Sequence, residues 1–365
     1  MSAPPHRPDA LPDDFADFAP LPGETPASLP DALGRLHGEL AAMRRGAGEI
    51  GRAISAVTDT VTRRLLALGE ARLGPAPVGW AWVATGSQGR QEQPLHSDQD
   101  NALILAPDFD AARHDAYFAA LARWVNDGLA ACGYRYCPGE VMAGNPRWRQ
   151  PLPAWQEDFA GWARQGSRRA AMLAANFSDM RTIAGDDGLL PALQATALPA
   201  LRHSETLLAR LAANALELAP PLGLFGRFLT HEAMPGRHTI DLKKGGLIPI
   251  VDLARLFALC TGVAPGEGPG MPAFPAGSVA RLRAAAGSAV LSEAGARGLI
   301  DAFECIGNLR VRHQNAQLAR GHQPDSLLEP QRLDDSDRRE LREALACIAL
   351  MQANVRQRFP PLPTG

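Results

Sequence analysis

The sequence contains no stretch approaching the roughly 20 consecutive apolar residues that a membrane span requires, so no membrane partner is expected. It has no charge excess. Its 37 Lys and Arg against 39 Asp and Glu leave a net charge of -2, which gives no electrostatic reason to expect nucleic acid or a membrane surface as partner. Cysteines are few and scattered: Cys132, Cys137, Cys260, Cys305 and Cys347 form neither an even disulfide framework nor a pair of close doublets of the metal-binding kind. Free buried thiols are expected, which suits a reducing cytoplasm. The N-terminal segment has no apolar h-region, so a secretory signal is not expected there. The chain also lacks Gly-x-x-x-x-Gly-Lys-Ser/Thr, which argues against a P-loop NTPase. His231 and His238 near Glu232 are seven residues apart, not the four of a zincin pair, so capping or surface roles are expected for them. No internal repeat of fixed period is present.

The 365 residues suffice for two or three domains. Residues 1–29 are rich in Pro and acids and are expected to form a disordered or loosely docked tail. Residues 30–72 carry a helical apolar seam through Leu33, Leu36, Leu40, Met43, Ile50, Ile54, Val57, Val61, Leu65 and Leu68. Gly46, Gly48 and Gly51 make a break plausible there. Packing of this segment on the next domain is the simpler reading. A dimerising coiled coil, and hence a homodimer, is the alternative. From residue 73 to 185 the pattern is α+β. Apolar runs at Val78–Thr85 and Asn101–Ala106 predict strands, helical spacing over Asp110–Cys132 follows, and Tyr134–Met142 is a candidate third strand. Residues 186–365 are helical in pattern, with a Pro/Gly-rich loop from Val263 to Gly277. Trp148, Trp155 and Trp162, seven apart, predict a helix packing face.

The most informative stretch links the first two predicted strands. An apolar run ends in Gly86-Ser87; ten residues later Asp98-Gln99-Asp100 opens the next run. On an extended chain the side chains of residues two apart share a face. Two carboxylates so placed repel unless a cation lies between them, and Mg²⁺ prefers hard oxygen ligands while leaving positions open for phosphates and water. Two such ions can activate an attacking oxygen and stabilise a leaving pyrophosphate. Gly86 lets the backbone approach phosphates, Ser87 supplies an N–H and a hydroxyl, and Arg90 can neutralise charge on a triphosphate. Glu92 and Gln93 fit a role in ordering the loop. The combination points to nucleotidyl transfer.

This arrangement resembles the DNA polymerase beta nucleotidyltransferase superfamily. More narrowly, it resembles bacterial nucleotidyltransferases related to the PII uridylyltransferase. Further matching segments follow in order: Cys137 to Trp148, Phe177 to Gly185, Asp241 to Arg255, and C-terminal helices with Arg310 and Gln314. The resemblance covers about residues 31–360 and implies a polymerase-beta-like nucleotidyltransferase core at 73–185. A helical substrate-binding domain would occupy 186–365, in an α+β chain that is predominantly helical overall. It also implies a third carboxylate, for which Glu140 is the best-placed acid, as metal ligand or general base. Lys243 or Lys244, beside Gly245, is implied to reach the triphosphate or the acceptor. Arg181, near Asp179, is implied either to contact the nucleotide or to form a structural salt bridge. Two departures stand out. Gln99 is polar where most superfamily members have an apolar residue. The CBS and cyclic-nucleotide-binding domains common in such proteins are expected to be missing or supplied by another polypeptide.

The expectation is thus Mg²⁺-dependent transfer of a nucleoside monophosphate from UTP or ATP to an acceptor hydroxyl, with a PII-type protein the first acceptor to consider. A nucleotide-sensing or scaffold protein with weak or no turnover is one alternative. A nucleotidyltransferase acting on a small molecule is another.

Overall fold

The computed structural model describes residues 46–94, 97–234, 236–262 and 274–359. The expected tail at 1–29 and the start of the apolar seam, Leu33 to Met43, lie outside the described residues. The rest of the seam forms helix α1 (Ala47–Leu73), which begins at the extended Gly46 and runs through Gly48 and Gly51 unbroken. Ile50, Ile54, Val57, Val61 and Leu65 are at most 2 % exposed. They are used for packing, largely against α2 (Ala111–Ala131). Small residues let the two helices approach closely: a Cβ on Gly128 would stand 2.6 Å from Leu65 Cδ2, and one on Gly69 2.6 Å from Leu121 Cδ1. Trp124 Nε1 donates to the Leu65 carbonyl at 3.1 Å across the same seam.

Contacts divide the chain into two units. The first comprises the described residues up to Leu152 together with Arg181–Leu189. Its four-stranded mixed sheet has the order β3-β2-β1-β4, with β1 Trp80–Ala84, β2 Asn101–Leu105, β3 Arg149–Pro151 and β4 Arg181–Gly185. β1 runs antiparallel to both β2 and β4, while β2 and β3 are parallel. Every residue of β1 and β2 is buried, so both faces of the sheet are covered there. The antiparallel register pairs Ala84 with Asn101 on one side and with Arg181 on the other. The end of β1, the start of β2 and the start of β4 therefore meet at one end of the sheet.

The third strand expected at Tyr134–Met142 does not form. Its two flanks do lie along β2 and the residues before it, since Gln99 N–H donates to the Arg135 carbonyl (2.8 Å) and Asn101 N–H to that of Val141 (3.1 Å). Between them the chain leaves the sheet in a turn closed by Glu140 N–H to Cys137 C=O at 2.9 Å. Pro138-Gly139 occupies the centre of that turn, a pairing that outweighs the strand pattern around it. The edge strand is instead the short β3.

The second unit comprises Pro153–Met180 and the described residues from Leu190 onward. Residues 153–180 thus cluster with the helical unit, whereas the sequence suggested a boundary at 185. It is mostly helical: α3 (Leu152–Gln165, all but its first residue in this unit), α4 (Arg168–Phe177), α5 (Leu189–Arg202, likewise all but its first residue), α6 (Glu205–Glu217), α7 (Ile248–Thr261), α8 (Ser278–Ala285), α9 (Glu293–Leu318) and α10 (Asp335–Arg358). The fold is thus α+β and predominantly helical, as the sequence indicated. Trp155 and Trp162 pack on Phe177 with ring centroids 5.1 and 5.7 Å apart. Trp148 belongs to a separate 3₁₀ turn before β3 rather than to the same helix. α7 is buried along most of its length through Ile250, Leu253, Ala254, Leu256 and Phe257. A small three-stranded sheet of β5 (His231–Met234), β6 (Arg237–Asp241) and β7 (Leu327–Leu328) completes the unit. Glu232 faces His238 across its hairpin and accepts the Gly236 N–H at 2.7 Å, a turn role rather than a metal site. The five cysteines are free; Cys132 is buried, and burial pushes its thiol up to about 11. Among the described residues no helix is long and apolar enough to cross a membrane.

Asp179 fastens this unit. Its carboxylate is fully buried and pairs with Arg255 of α7 and with the equally buried Arg281 of α8, whose Nη1 lies 2.6 Å away. The Arg281 Nη2 donates to the Ser178 carbonyl at 2.8 Å. Arg255 has a second partner in Asp252, 2.8 Å from its Nη1, but Asp179 is the carboxylate that Arg281 pairs with, so removing it leaves a fully buried cation without compensation. Asp179→Asn is predicted to destabilise the protein by about 3–5 kcal/mol in urea denaturation. A change below about 1 kcal/mol would show that the clasp does not hold the unit together.

Candidate active site at one end of the sheet

The chain leaves β1 at Thr85, whose N–H donates to the Asp100 carbonyl at 3.0 Å, and enters a one-turn helix, Gly86–Gly89. Gly86 has φ +57°, a left-handed conformation that glycine adopts without strain. A second constraint coincides: a Cβ here would stand 2.5 Å from Asp100 Oδ2. The turn and the second carboxylate of the Asp-x-Asp pair are therefore in direct contact. Ser87 is half-buried on this turn. Its carbonyl accepts the Glu92 N–H at 2.8 Å. Arg90, which leaves the turn, is held by Glu92 at 2.8 Å.

The turn is fixed from beneath by Arg181. Its Nε donates to the Gly89 carbonyl (3.3 Å) and its Nη2 to the Gln88 carbonyl (3.1 Å), while Nη1 lies 2.7 Å from Asp59 Oδ2. Asp59 of α1 is 3 % exposed and also accepts from Gln88 Nε2 at 2.9 Å. Of the two roles left open for Arg181, the structure shows the salt bridge, and that salt bridge shapes the turn. The sequence reading missed Asp59. The available signal was an acid bordering the apolar seam of α1 beside Ser55, Thr58 and Thr62, all of them buried.

Gln99 accounts for its own polarity. It is 3 % exposed; its Nε2 donates to the carbonyls of Asn126 (2.9 Å) and Tyr134 (3.0 Å), and its Oε1 accepts from Asn126 Nδ2 (2.9 Å). Asn126 also donates to Asn101 Oδ1 at 3.0 Å, and Asn101 Oδ1 accepts the Ala143 N–H at 2.9 Å. This amide network ties 134–144 to the start of β2. With Gln99 turned inward, the half-buried Asp98 and Asp100 fall on the other side of the extended chain. Asp98 Oδ1 pairs with the exposed Arg135 at 3.0 Å. The Cys137 thiol lies against Asp100: burial pushes it up, and the charge and acceptor oxygen of Asp100 push it further.

Glu140 is not gathered into this group. It is exposed, has φ +55°, and sits on the outer side of the 137–140 turn. Among the described residues no three His, Cys, Asp or Glu side chains stand close enough to hold a metal ion together. In the second unit, Lys243, Lys244 and Gly245 belong to a π-helical turn, Lys243–Leu247. The Lys243 and Lys244 N–H groups both donate to Asp241 Oδ1 at 2.9 Å. The openness expected of Gly245 is used by the protein itself, since a Cβ there would meet Pro221 Cδ at 2.6 Å.

Replacing Gln99 with an apolar residue of similar size would leave two buried carbonyls and the Asn126 amide short of partners. Gln99→Leu is predicted to cost about 2–3 kcal/mol of stability in chemical denaturation. A neutral or stabilising effect would mean that the network does not anchor the Asp pair.

Two family matches bear on this geometry. Residues 31–169 match the family described as "Putative nucleotidyltransferase DUF294". Residues 205–359 match the one described as "Putative nucleotidyltransferase substrate binding domain". No curated protein matches the sequence. The first match spans the Gly86 turn and the Asp pair, and the second covers most of the helical unit. Between them the two matches cover most of the chain, which belongs to this family of nucleotidyltransferases.

Proposed function

We propose that the protein transfers a nucleoside monophosphate from a nucleoside triphosphate to an acceptor hydroxyl at the Gly86–Asp100 end of the sheet, with Mg²⁺ held by Asp98 and Asp100. The observation that carries this reading is the contact between Gly86 and the Asp100 carboxylate, which brings a glycine-opened turn and a hard anionic ligand to one place. Two carboxylates suit Mg²⁺, which takes one or two protein ligands and completes its shell with phosphate oxygens and water. The expected pair of ions would draw the balance of its ligands from the triphosphate. When bound, Mg²⁺ supplies charge neutralisation on the phosphates and a lowered pKa for the attacking hydroxyl. The chain's own contribution is positioning. Gly86 lets the turn close directly on the Asp100 carboxylate, Ser87 offers a hydroxyl and an N–H, and Arg181 with Asp59 keeps the turn in place. Arg90, held by Glu92, lies one turn further along. Lys243 and Lys244 are proposed to contact the triphosphate or the acceptor. Glu140, exposed on its turn, is not included in the proposed metal set.

The resemblance to the PII uridylyltransferase supports a tyrosine of a PII-type protein as acceptor and UMP as the first group to test, with AMP next. A second reading, nucleotide binding without turnover, is favoured by the ungathered third carboxylate. Purified protein incubated with Mg²⁺, a PII-type protein or lysate, and labelled UTP, ATP, CTP or GTP distinguishes them. Labelled acceptor with released pyrophosphate supports transfer, whereas Mg²⁺-dependent binding with no label supports the second reading.

Asp98→Asn and Asp100→Asn are each predicted to abolish transfer with unchanged far-UV circular dichroism; retained activity in the double variant would sink the metal assignment. Gly86→Ala is predicted to lower the rate on the order of 100-fold by displacing Asp100. A near-normal rate would mean that this contact does not set the geometry.

A further inference from the structure

The second unit contains a guanidinium whose charge is not matched. Arg310 lies in the middle of α9 and is half-buried. Among the described residues its side chain makes one hydrogen bond, from Nε to Ser326 Oγ at 2.9 Å, and its terminal nitrogens meet no carboxylate within ion-pair distance. Burial pulls its pKa down, and the Asp241 carboxylate nearby only partly offsets this. Other inward-facing arginines of this unit are paired, Arg281 with Asp179 and Arg255 with Asp179 and Asp252.

The surroundings of Arg310 are organised. Ser326, which receives its Nε, also accepts the Leu242 N–H through its carbonyl at 2.9 Å. Asp241, the acid that Arg310 senses, uses Oδ1 to cap the Lys243 and Lys244 N–H groups. The following π-helical turn packs on α9 one turn before Arg310, where a Cβ on Gly246 would stand 2.9 Å from Ile306. Lys243 and Lys244 are exposed, and among the described residues neither ammonium forms an ion pair. The backbone of Lys243 and Lys244 thus holds Asp241, the acid that offsets Arg310, while their exposed ammoniums extend from the same turn. Three cationic side chains against this one acid leave an excess of about two positive charges at the junction of β6, the π-turn and α9. A single carboxylate ligand would leave half of that excess. A multiply charged phosphoryl group would balance it, and a guanidinium presents a fork suited to its oxygens.

We propose that Arg310, with Lys243 and Lys244, forms a binding site for a phosphoryl anion carried by the helical unit, with Ser326 and Asp241 holding Arg310 and the π-turn in position. The site does not depend on the transfer reading of Asp98 and Asp100, and it adds Arg310 to the lysines proposed above. The source of the phosphoryl group is either a nucleoside triphosphate or a free polyphosphate such as released pyrophosphate.

The test is calorimetric titration of the full chain with ATP, UTP, tripolyphosphate, pyrophosphate and inorganic phosphate, without Mg²⁺ and at constant ionic strength. The background is Asp98→Asn/Asp100→Asn, so that the sheet site is disabled. Binding of at least one of these anions is expected, weakened about tenfold or more by Arg310→Met, which removes one charge-assisted contact. Arg310→Lys, which keeps the charge but not the fork, should recover only part of the affinity. Lys243→Met/Lys244→Met provides a second variant on exposed positions that cannot unfold a core, and it should weaken the same ligand. Binding of tripolyphosphate and pyrophosphate assigns the site to the phosphate chain itself; binding confined to ATP or UTP assigns it to the nucleotide. No binding of any of the five at millimolar concentration overturns the proposal, as does binding unchanged in both the Arg310→Met and the double-lysine variants.

Discussion

The ion pair between Asp59 and Arg181 is the constraint on which the candidate active site depends. Asp59 comes from the first helix and Arg181 from the last strand of the sheet, and the turn that carries Gly86 is held between them through Gln88 and the carbonyls of residues 88 and 89. A buried carboxylate without its partner would be costly, and a guanidinium without carbonyls to bind would not hold the turn. Met together, these demands fix where the backbone leaves β1, and hence where Gly86 meets Asp100. Chemistry at this end of the sheet rests on an interaction that contains neither of the aspartates proposed as metal ligands.

The two units solve the problem of buried charge differently. In the first, neutral amides do much of the work: Gln99, Asn101 and Asn126 satisfy one another and four backbone carbonyls or N–H groups with no net charge. Such a network stabilises a chosen arrangement without the desolvation cost of ions. In the second, full charges are buried, and Asp179 with two arginines joins the end of α4 to α7 and α8. The neutral network adds no charge beside the two aspartates, of which Asp98 pairs with the exposed Arg135.

Much of the candidate site was legible in the sequence because it is local. Gly86, Ser87, Asp98 and Asp100 lie within fifteen residues of one another, and their spacing on two strands conveys the geometry. The α+β core and the helical remainder followed from changes in apolar period. What was not legible depends on distance or on competition between signals. The partner of Arg181 lies 122 residues away, and no local pattern names it. The segment around Glu140 has strand-like flanks and a Pro-Gly centre. The flanks suggested a strand and the centre made a turn, which carried Glu140 outward. Gln99 looked like a defect in the motif because its partner, Asn126, sits on a helix whose facing could not be assigned to that one residue in advance. The boundary at 185 failed for a similar reason: the attachment of 153–180 to the helical unit runs through Asp179 to residues 76 and 102 positions later.

The first family match stops at residue 169, before β4 begins. A polypeptide ending there would contain Gly86, Ser87, Asp98 and Asp100, yet its Asp59 would face the core without a cation and β1 would present an unpaired edge. The smallest continuous piece that can carry a formed turn must therefore extend at least through Gly185, and in doing so it must take in residues 153–180, which cluster with the other unit. Cutting the chain between its two units in sequence is not the same as cutting it between them in space.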